Sequence, residues 1–549
     1  MNAAKTKRVL VLSMAFIILS SAIAFAGAGS ETSATGDGIT PNAGGVFPIT
    51  DEPVTMKAFI AKFAQVGEMD ANYSTQYIEE RTNVQIEWEV ADISGAPEKL
   101  NIMLSSGEKL PDVILPGPWF LNNNNKYLYG REGVILPLDD YIEEYGHAIN
   151  ELWAHNPALQ KQMRSPDGKI YALSSYFEIE HTKYGAKAWI NQQWLDNLGL
   201  DMPTTTQEFK DTMIRFKNND PNGNGKADEI PISGSQGGAG LLHLINPFLY
   251  MDATRVVVEN GTISSQIIKD EFREAVRYIA DLYSEGLIDP QIFTQDQTQL
   301  ITLTMGEDVM LGFCPQDNPF FFVQINSDQE RQYQAIPPVK GPGGVQTTAY
   351  NAPSARGGNF VVTKDAANPA VAYRWGDFLI SDEAQRRIFF GEKGVTWDFG
   401  DDGAIGINGQ PASIQFIGEP LYNMTVQDYG WLWSSIQIDY LFVDGTQVDA
   451  NVWNRDTFLY NNARKYLPYI PPLEEVLPPL TLAEEIVEEY NTISTDVVSY
   501  YNEAFANFIT GNLDVNDDGD WDNYKRELER RGLSKQIQYM QAAYDNQYK

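Results

Sequence analysis

Cysteine is almost absent from this sequence, since Cys314 is the only one among 549 residues. A single thiol excludes an intrachain disulfide even in an oxidising compartment, so we expect it to be buried and inert. The N-terminal region has no cysteine to which a lipid could be attached, which argues against the usual anchor of a surface lipoprotein. We therefore expect a chain that folds around hydrophobic cores and has no lipid tether.

Positive charge is also scarce. Lys and Arg number 40 against 74 Asp and Glu, which gives a formal net charge of −34. A chain of this charge repels polyanions, so we expect no nucleic acid partner and no attraction to anionic lipid headgroups. Cations and neutral solutes remain as ligands.

Long apolar runs are absent after the N-terminus. The one at the start of the chain, Val9 to Leu19, follows three basic residues and precedes the small-x-small pattern Ala24-Phe25-Ala26. This arrangement predicts a cleaved signal peptide over residues 1–26 and export to a periplasm or to the cell exterior. A single membrane span is the alternative, and the serines in and after the run make it less favourable.

The segment after the signal peptide has little apolar periodicity. Residues 27–50 are rich in Gly, Ser, Thr, Ala and Pro, which predicts a flexible leader. Folding is expected to begin near Val54.

Strand and helix patterns then alternate. Strands are predicted at 54–63, 83–90 and 112–115, and helices at 72–82 and 97–106. This alternation predicts an α/β fold with a parallel, doubly wound sheet, and the chain length predicts two or more lobes. Ligands of such sheets bind beyond the carboxyl ends of the strands, which points to Trp119 in the loop "PGPWF".

Oxygen donors are concentrated in the loop "DPNGNGKADEIP", residues 220–231. Side-chain oxygens fall at its positions one, three, five, nine and ten, and position seven offers a backbone carbonyl. The predicted metal ligands are Asp220, Asn222, Asn224, Lys226 through its carbonyl, Asp228 and Glu229. Hard oxygen donors on a tight loop suit Ca²⁺ in a structural role. Position twelve is Pro231, so a stand-alone calcium loop is predicted instead of an EF-hand, with a solvated turn as the alternative.

A weaker version of this pattern occurs in "LDVNDDGDWDNY", residues 513–524, where four Asp and Asn side chains alternate over 514–520. The acidic first turn of a helix explains the same residues, and we favour that interpretation. Whether this segment binds a second ion stays open.

Tryptophan is plentiful, with 11 in the chain, and several lie in predicted loops. Indole rings stack on the apolar C–H faces of sugars, while sugar hydroxyls need amides and charged groups. We predict ligand contact for Trp119 and Trp397, with core packing as the alternative. Arg356, beside two glycines, is a candidate donor to hydroxyl groups, and Tyr176 is a further candidate contact.

Residue patterns for catalysis are few. The four histidines are not at metal-ligand spacing, and neither G-x-S-x-G nor a phosphate-binding loop occurs. Paired carboxylates for glycoside hydrolysis remain open, because their separation in space defines them. We expect a binding protein and not an enzyme.

Several segments resemble the extracellular solute-binding proteins of bacterial ABC importers. They are "YIEERTNVQIEW", "WINQQWLDNLGLDMPTTTQEF", the loop "DPNGNGKADEIP", "NPAVAYRWGDFLISDEAQRRIFFGEKGVTW" and "WDNYKRELERRGLSKQIQYMQAAYD". The chain looks most like the large calcium-containing branch that includes alginate-binding proteins, over nearly all residues after 50. In that branch, the calcium ligands correspond to the six loop positions named above.

The resemblance implies two α/β lobes with a hinged cleft, which captures an oligosaccharide for the membrane permease subunits of an ABC importer. We assign 51–180 and 350–398 to the N-terminal lobe, and 181–349 and 399–549 to the C-terminal lobe. The expected protein is a monomer that binds a neutral oligosaccharide. A secreted carbohydrate-active enzyme and a calcium-stabilised surface adhesion protein are the alternatives.

Overall fold

The computed structural model describes residues 34–35, 38–63, 66–117, 120–235, 241–418, 428–431 and 434–549. The predicted signal peptide over 1–26 and Trp119 lie outside the described residues. Within the described part of the chain, no helix combines the length and the apolar character needed to cross a bilayer.

The strands are short except for two near the start of the chain. They are β1 Ala34–Thr35, β2 Val54–Lys62, β3 Val84–Asp92, β4 Val113–Leu115, β5 Leu173–Phe177, β6 Trp189–Asn191, β7 Ile230–Ile232, β8 Val256–Glu259, β9 Thr262–Ser265, β10 Leu311–Cys314, β11 Tyr333–Ala335, β12 Arg356–Val362, β13 Trp397–Asp398, β14 Gln415–Phe416 and β15 Ile438–Asp439.

The helices surround two sheets. They are α1 Tyr73–Thr82, α2 Ala96–Ser105, α3 Asn123–Arg131, α4 Asp139–Tyr145, α5 Ala148–His155, α6 Ala158–Met163, α7 Gln192–Leu198, α8 Thr206–Asn218, α9 Leu242–Ile245, α10 Asp270–Ser284, α11 Gln297–Ile301, α12 Pro369–Leu379, α13 Asp382–Phe390, α14 Arg455–Arg464, α15 Glu484–Thr510, α16 Asp518–Arg530 and α17 Leu533–Tyr548.

The larger sheet forms the first lobe. Its strands lie in the order β3-β2-β4-β12-β5-β15, and β1 pairs with the start of β2. Strands β2, β3 and β4 are parallel, as their alternation with helices predicts. Strand β12 comes from a distant part of the chain and lies antiparallel between β4 and β5. The start of β12 therefore lies at the same edge as the carboxyl ends of β2, β4 and β5.

Period-two patterning explains how β3 lies on this sheet. Val84 is fully buried and Ile86 is nearly so, while the alternate residues Gln85 and Glu87 are exposed. Successive side chains of a strand point to opposite faces, so one face of β3 meets the core and the other meets solvent. The strand predicted at 83–90 is thereby confirmed, with bounds of 84–92.

A smaller mixed sheet forms the second lobe, in the order β11-β6-β10-β7. Strands β7 and β10 are parallel, and β6 is antiparallel to β10 and β11. Helix α8 supplies Phe209, Met213 and Phe216 to the core of this lobe, which α10, α15 and α16 also cover. Thr205 caps α8, since its hydroxyl accepts the Glu208 N–H at 3.1 Å.

The chain passes between the two lobes three times, after β5, after β11 and after β15. Hydrogen bonds join these three crossings. The Asn351 N–H donates to the Lys183 carbonyl at 2.7 Å, and the Glu180 N–H donates to Asp444 Oδ2 at 2.7 Å. The first crossing is thus bonded to both of the others.

One boundary differs from the assignment made from the sequence, which puts all of 399–549 in the second lobe. Ile438 and Asp439 pair with Tyr176 and Phe177 of the larger sheet. Trp431 is also in the core of the first lobe. This part of the chain belongs to the first lobe, because a strand joins the sheet that completes its backbone hydrogen bonds regardless of sequence distance.

The end of the predicted flexible leader, 27–50, is also corrected by the structure. The buried Arg374 guanidinium donates hydrogen bonds of 3.0–3.2 Å to three carbonyls of this segment, those of Asn42, Ala43 and Val46. Ile49 is fully buried in the core of the first lobe. Residues 42–50 are therefore packed, because the guanidinium needs acceptors once it is buried.

Lys126, in α3, is buried in the first lobe with weak partners. Only 1% of it is exposed, and its Nζ lies 3.4 Å from Asn123 Oδ1 and 3.5 Å from the Met163 carbonyl. Burial lowers its pKa to about 8. The charged form is disfavoured in the folded state because these long contacts replace little of its hydration.

We expect Lys126→Met to raise the free energy of unfolding at pH 7 by about 1–3 kcal/mol. The folded pKa, about 8, is below the unfolded one, so the penalty grows as pH falls from about 10.4 to 8 and is complete below that. The gain from methionine should disappear above about pH 10. Urea unfolding at pH 7 and pH 10 measures both values. Lys109→Met, at an exposed position, is the control, and an equal gain at both pH values would contradict the explanation.

Candidate functional site

A cavity of about 910 Å³ lies at the edge of the smaller sheet where β7 and β10 end. The residues after β7, Gly234 and Ser235, and those after β10, Pro315 to Asp317, form its floor. In open α/β sheets, ligands bind at such carboxyl ends, because loops there leave a crevice. The same rule applied to the sequence points to the sheet of the first lobe, whereas this cavity lies at the sheet of the second lobe.

Polar side chains fix the floor of this cavity. Gln295 is buried, and its Nε2 donates to the Ser233 hydroxyl at 2.7 Å and to the Gly234 carbonyl at 2.6 Å. Gln316 Nε2 donates to the Ser235 hydroxyl at 3.2 Å. The Gln316 amide thus links the two strand ends, and the Gln295 amide fixes the end of β7, so the polar atoms of the floor are preorganised.

Aromatic rings form the walls. Phe293 and Phe321 are the last residues of two short 3-10 helices of the second lobe, whereas Tyr501 and Phe505 lie one helical turn apart on α15. Phe293, Phe321 and Phe505 are partly buried and keep part of their rings accessible. Amide side chains lie among them, those of Gln297, Asn351 and Asn502. Flat apolar faces interspersed with amides suit a sugar, whose rings carry both C–H faces and hydroxyls.

The charged residues that line the described part of the cavity are Asp252, Asp317 and Arg255. Burial raises the pKa of the Asp252 carboxyl, and hydrogen bonds from Thr254 oppose the increase. Burial also raises the pKa of Asp317, while the positive charge of the buried Lys187 lowers it. Two acids and one base make this lining slightly negative, which disfavours an anionic ligand.

Two of the predicted ligand contacts are buried side chains of the first lobe. Trp397 is 2% exposed, packs with Phe390 and Phe442, and donates its indole N–H to the Gly391 carbonyl at 2.9 Å. Tyr176 is 1% exposed, and its hydroxyl contacts Glu178 and accepts a hydrogen bond from Asn156 at 3.0 Å. Their partners lie within the lobe, and neither residue lines the cavity.

Arg356, another of the predicted contacts, lies at the edge of the first lobe. Arg356 starts β12 there, with its guanidinium carbon 4.1 Å from the centre of the Phe177 ring, and burial lowers its pKa. It does not line the described cavity. Trp119, the remaining predicted contact, lies outside the described residues. Ligand contact by either one stays a prediction.

The aromatic residues of α15 were missed because they resemble a core stripe. Tyr501, Ala504 and Phe508 are buried, and Phe505 follows the same helical spacing. Periodicity identifies which residues face inward, but it does not say whether they meet a core or a cavity. Only three-dimensional packing distinguishes a helix face that meets a core from one that meets a cavity.

The loop over 220–229 draws its predicted metal ligands together. Asn222 and Asn224 each direct an amide group to the Asp228 carboxylate, at 3.2 Å and at 3.2–3.3 Å. Asp220 Oδ2 accepts the Gly225 N–H at 2.9 Å. Gly225, with φ of 74°, allows a turn that other residues rarely adopt.

Glu229 completes this loop with an oxygen that lacks a partner. Its Oε1 is buried and has no hydrogen-bond partner in the described structure. Burial raises the pKa of this carboxyl, and the charges of Asp228 and Asp220 raise it further. Among the described residues, no group of three or more His, Cys, Asp or Glu side chains alone could hold a metal ion. A hard cation here would therefore need the amide and carbonyl oxygens as well, which is the donor set that Ca²⁺ accepts.

The acidic segment 514–520 forms a helix start. Asp517 caps α16 by accepting the Asp520 N–H at 2.9 Å, and Asp520 in turn accepts the Asp514 N–H at 2.9 Å. Asp518 pairs with Arg273 at 2.8 Å. These partners support the helix-start interpretation of the pattern.

Comparison with known proteins identifies the family. The model of the family described as bacterial extracellular solute-binding protein matches residues 50–386, more than half of the chain. The chain belongs to this family.

Similar proteins extend the comparison over the whole chain. The fructooligosaccharide ABC transporter substrate-binding protein FusA of Streptococcus pneumoniae serotype 4 (strain ATCC BAA-334 / TIGR4) is 28% identical, over 97% of this chain and 97% of FusA. A solved structure of a FusA EF-hand mutant in complex with fructo-nystose has a TM-score of 0.73 at 24% identity, and covers 89% of this chain and 99% of that one.

A second solved structure supports the same architecture. The extracellular solute-binding protein from Bifidobacterium longum subsp. infantis gives a TM-score of 0.75 at 21% identity, and covers 91% of this chain and 99% of that one. The predicted two-lobed α/β fold of the periplasmic-binding-protein class is confirmed.

Because Trp397 packs in a core, its removal should lower the free energy of unfolding. We expect Trp397→Ala to lower the free energy of unfolding by about 3–5 kcal/mol, because it leaves a cavity and an unpaired carbonyl. Urea unfolding measures the loss. Phe399→Ala, at a neighbouring ring that is 50% exposed, is the control and should cost less. A variant of Trp397 with nearly unchanged stability would contradict the core assignment and would favour ligand contact.

Proposed function

We propose that the protein captures a neutral oligosaccharide between its two lobes and delivers it to the membrane permease subunits of an ABC importer. The observation that carries this proposal is the cavity at the ends of β7 and β10, with its aromatic walls and amide-lined floor, in a chain of the extracellular solute-binding family. The name of FusA, a fructooligosaccharide-binding protein, supports a sugar as the captured solute. The exported chain would act as a monomer.

The chemistry of the lining favours a neutral sugar over an acidic one. Asp252 and Asp317 outnumber Arg255 among the charged residues of the described lining, and the whole chain has a net charge of −34. An anionic sugar would meet repulsion both on approach and in the cavity. Neutral hydroxyls, in contrast, find donors and acceptors in the amide side chains.

Capture requires that the sugar favour one arrangement of the lobes. A ligand that contacts both lobes stabilises the closed form, because only that form makes both sets of contacts. The three crossings are the segments that would bend, and α15 connects the cavity to the first lobe. Its first turn pairs Glu484 with Arg131 at 2.6 Å, and the preceding Leu482 N–H donates to Asn124 Oδ1 at 3.0 Å.

Binding without chemical conversion is part of this proposal. FusA is named as the substrate-binding protein of an ABC transporter, and the matching family is one of solute-binding proteins. The carboxylates of Asp252 and Asp317 would act as hydrogen-bond acceptors for hydroxyls and not as a hydrolytic pair. Recovery of the bound sugar unchanged separates this role from that of a carbohydrate-active enzyme.

We propose further that the loop over 220–229 binds Ca²⁺ in a structural role. Asp220, Asn222, Asn224, Asp228 and Glu229 would hold the ion with the Lys226 carbonyl. The convergence of three of these side chains and the unpartnered Glu229 oxygen support the fit. The FusA structure named as an EF-hand mutant also indicates a cation loop in a relative. The ion would offset the mutual repulsion of the loop carboxylates.

The calcium proposal predicts that chelation and the loss of one ligand lower the Tm by equal amounts. Chelation with EGTA should lower the Tm, Asp220→Ala should lower it by a similar amount, and the two together should add little because both remove the same ion. Differential scanning fluorimetry measures all four conditions. Asp514→Ala, in the second acidic segment, is the matched control and should leave the effect of EGTA intact. Additive losses would show that Asp220 acts in another way.

The capture proposal predicts a ligand-dependent increase in Tm. In a panel of fructo-nystose, maltotriose, xylotriose and trigalacturonic acid, we expect a neutral sugar to raise the Tm most. Phe321→Ala should weaken that sugar's binding about 10-fold, measured by calorimetry, while Phe399→Ala, at an exposed ring outside the cavity, should not. Chromatography should recover the sugar intact. Released products, or no Tm increase with any oligosaccharide, would count against importer capture.

A further inference from the structure

Backbone strain is concentrated at the cavity. The described residues other than glycine with a positive φ are Asn83, Leu241, Arg255, Asn260 and Asn326. Asparagine tolerates the left-handed region, whereas other side chains meet steric repulsion there. The two that are not asparagine, Leu241 with φ of 59° and Arg255 with φ of 63°, both line the cavity.

The strained turn at Arg255 is held by its surroundings. The Arg255 N–H donates to the Asp252 carbonyl at 3.1 Å, and its own carbonyl accepts the Gln266 N–H at 2.9 Å. Asp252 Oδ1 accepts the Thr254 N–H at 2.8 Å. Strain of this kind persists where neighbouring bonds over-determine the backbone, and it is found mainly at functional sites.

The Arg255 side chain has few partners for its charge. Its guanidinium carbon is 4.7 Å from the centre of the Tyr501 ring on α15, and Nη1 donates to the Ala253 carbonyl at 3.1 Å. No carboxylate of the described residues forms an ion pair with it, in a chain that has 74 acidic residues. Asp252, three residues away, directs its oxygens to Thr254 and Tyr250 instead.

We propose that Arg255 is a specificity-determining residue, whose guanidinium donates hydrogen bonds to two adjacent hydroxyl groups of the captured sugar. The proposal rests on the capture function proposed above. A planar guanidinium presents several N–H donors in a fixed fork, which matches a pair of neighbouring oxygens. Tyr501 holds the plane of this fork by cation–π contact, so the donors keep their direction before the sugar arrives.

The acidic neighbours decide between a neutral and an anionic partner for this fork. A lone arginine would bind a carboxylate well, but Asp252 and Asp317 line the same cavity. A uronic acid would place its charge near theirs, whereas the hydroxyls of a neutral sugar can donate to those carboxylates and accept from Arg255. The cavity therefore offers complementary partners to a hydroxyl pair.

The variant Arg255→Asn distinguishes a role of the guanidinium in binding from an effect of the strained backbone. Asparagine accepts a left-handed φ, so the variant removes the guanidinium and relieves strain together. We expect the Tm of the sugar-free protein to be unchanged or higher, while the affinity for the tightest neutral oligosaccharide of the panel named above falls about 10-fold or more. A purely structural role for Arg255 would instead lower the Tm.

Two further variants complete the experiment. Arg526→Asn removes the same charge from an exposed position of α16 outside the cavity and should change neither value. Arg255→Lys keeps the charge without the fork and should recover only part of the affinity. A deoxy analogue that lacks one of the two hydroxyls should bind wild type more weakly than the parent sugar does. The Arg255→Asn variant should bind the analogue and the parent sugar equally, because it has already lost the same contact.

The results that overturn the assignment are distinct from those that overturn capture itself. If wild type binds a neutral sugar and Arg255→Asn binds it equally well, the role of Arg255 is wrong although capture stands. If trigalacturonic acid binds most tightly and loses affinity in the variant, the partner of Arg255 is a carboxylate and not a hydroxyl pair. If wild type binds no oligosaccharide, the function proposed above fails first.

Discussion

Hydrogen bonds between the crossing segments hold together the connection between the two lobes. The Glu180 N–H binds Asp444, and the Asn351 N–H binds the Lys183 carbonyl, so the first crossing is bonded to both of the others. Each lobe has its own sheet and its own core on one side of these segments. Packed cores resist deformation, whereas a few bonded crossings can bend together, so relative motion of the lobes would be concentrated there.

The excess of acid imposes a second constraint, because each carboxylate that is buried needs a donor. Much of the structure meets this need with backbone N–H groups. Asp377 accepts those of residues 147–149 at 3.0–3.1 Å, and Asp439 accepts that of Phe442 at 2.9 Å. Burial nevertheless raises the pKa of Asp439 to about 7. In a chain with so many carboxylates, an arginine that lines the cavity without an ion pair to a described carboxylate, as Arg255 does, is unusual.

Local features could be predicted from the sequence because their causes are local. The alternating pattern of β3 and the oxygen spacing of the loop at 220–229 involve residues a few positions apart, and the structure draws that loop together. The burial of Trp397 and Tyr176 depends instead on partners distant in sequence, such as Phe442 and Asn156, which only the fold brings near. Strand β15 likewise joins β5 over a long sequence separation. Ligand contact by the loop tryptophans stays a prediction, since Trp397 packs in a core, and the phenylalanines that line the cavity gave no separate signal.

The loop and the cavity lie at opposite ends of the same two strands. Strand β7 has three residues, Ile230–Ile232, with the loop before it and the cavity floor after it. The loop also touches the segment that leads into β10, since Asn222 donates to the Val309 carbonyl at 3.3 Å and Lys226 pairs with Asp308 at 3.1 Å. Strand β10 in turn leads to the other half of the floor. Strands this short have few ladder bonds of their own, so order in the loop contributes directly to where Ser235 and Gln316 present their polar atoms.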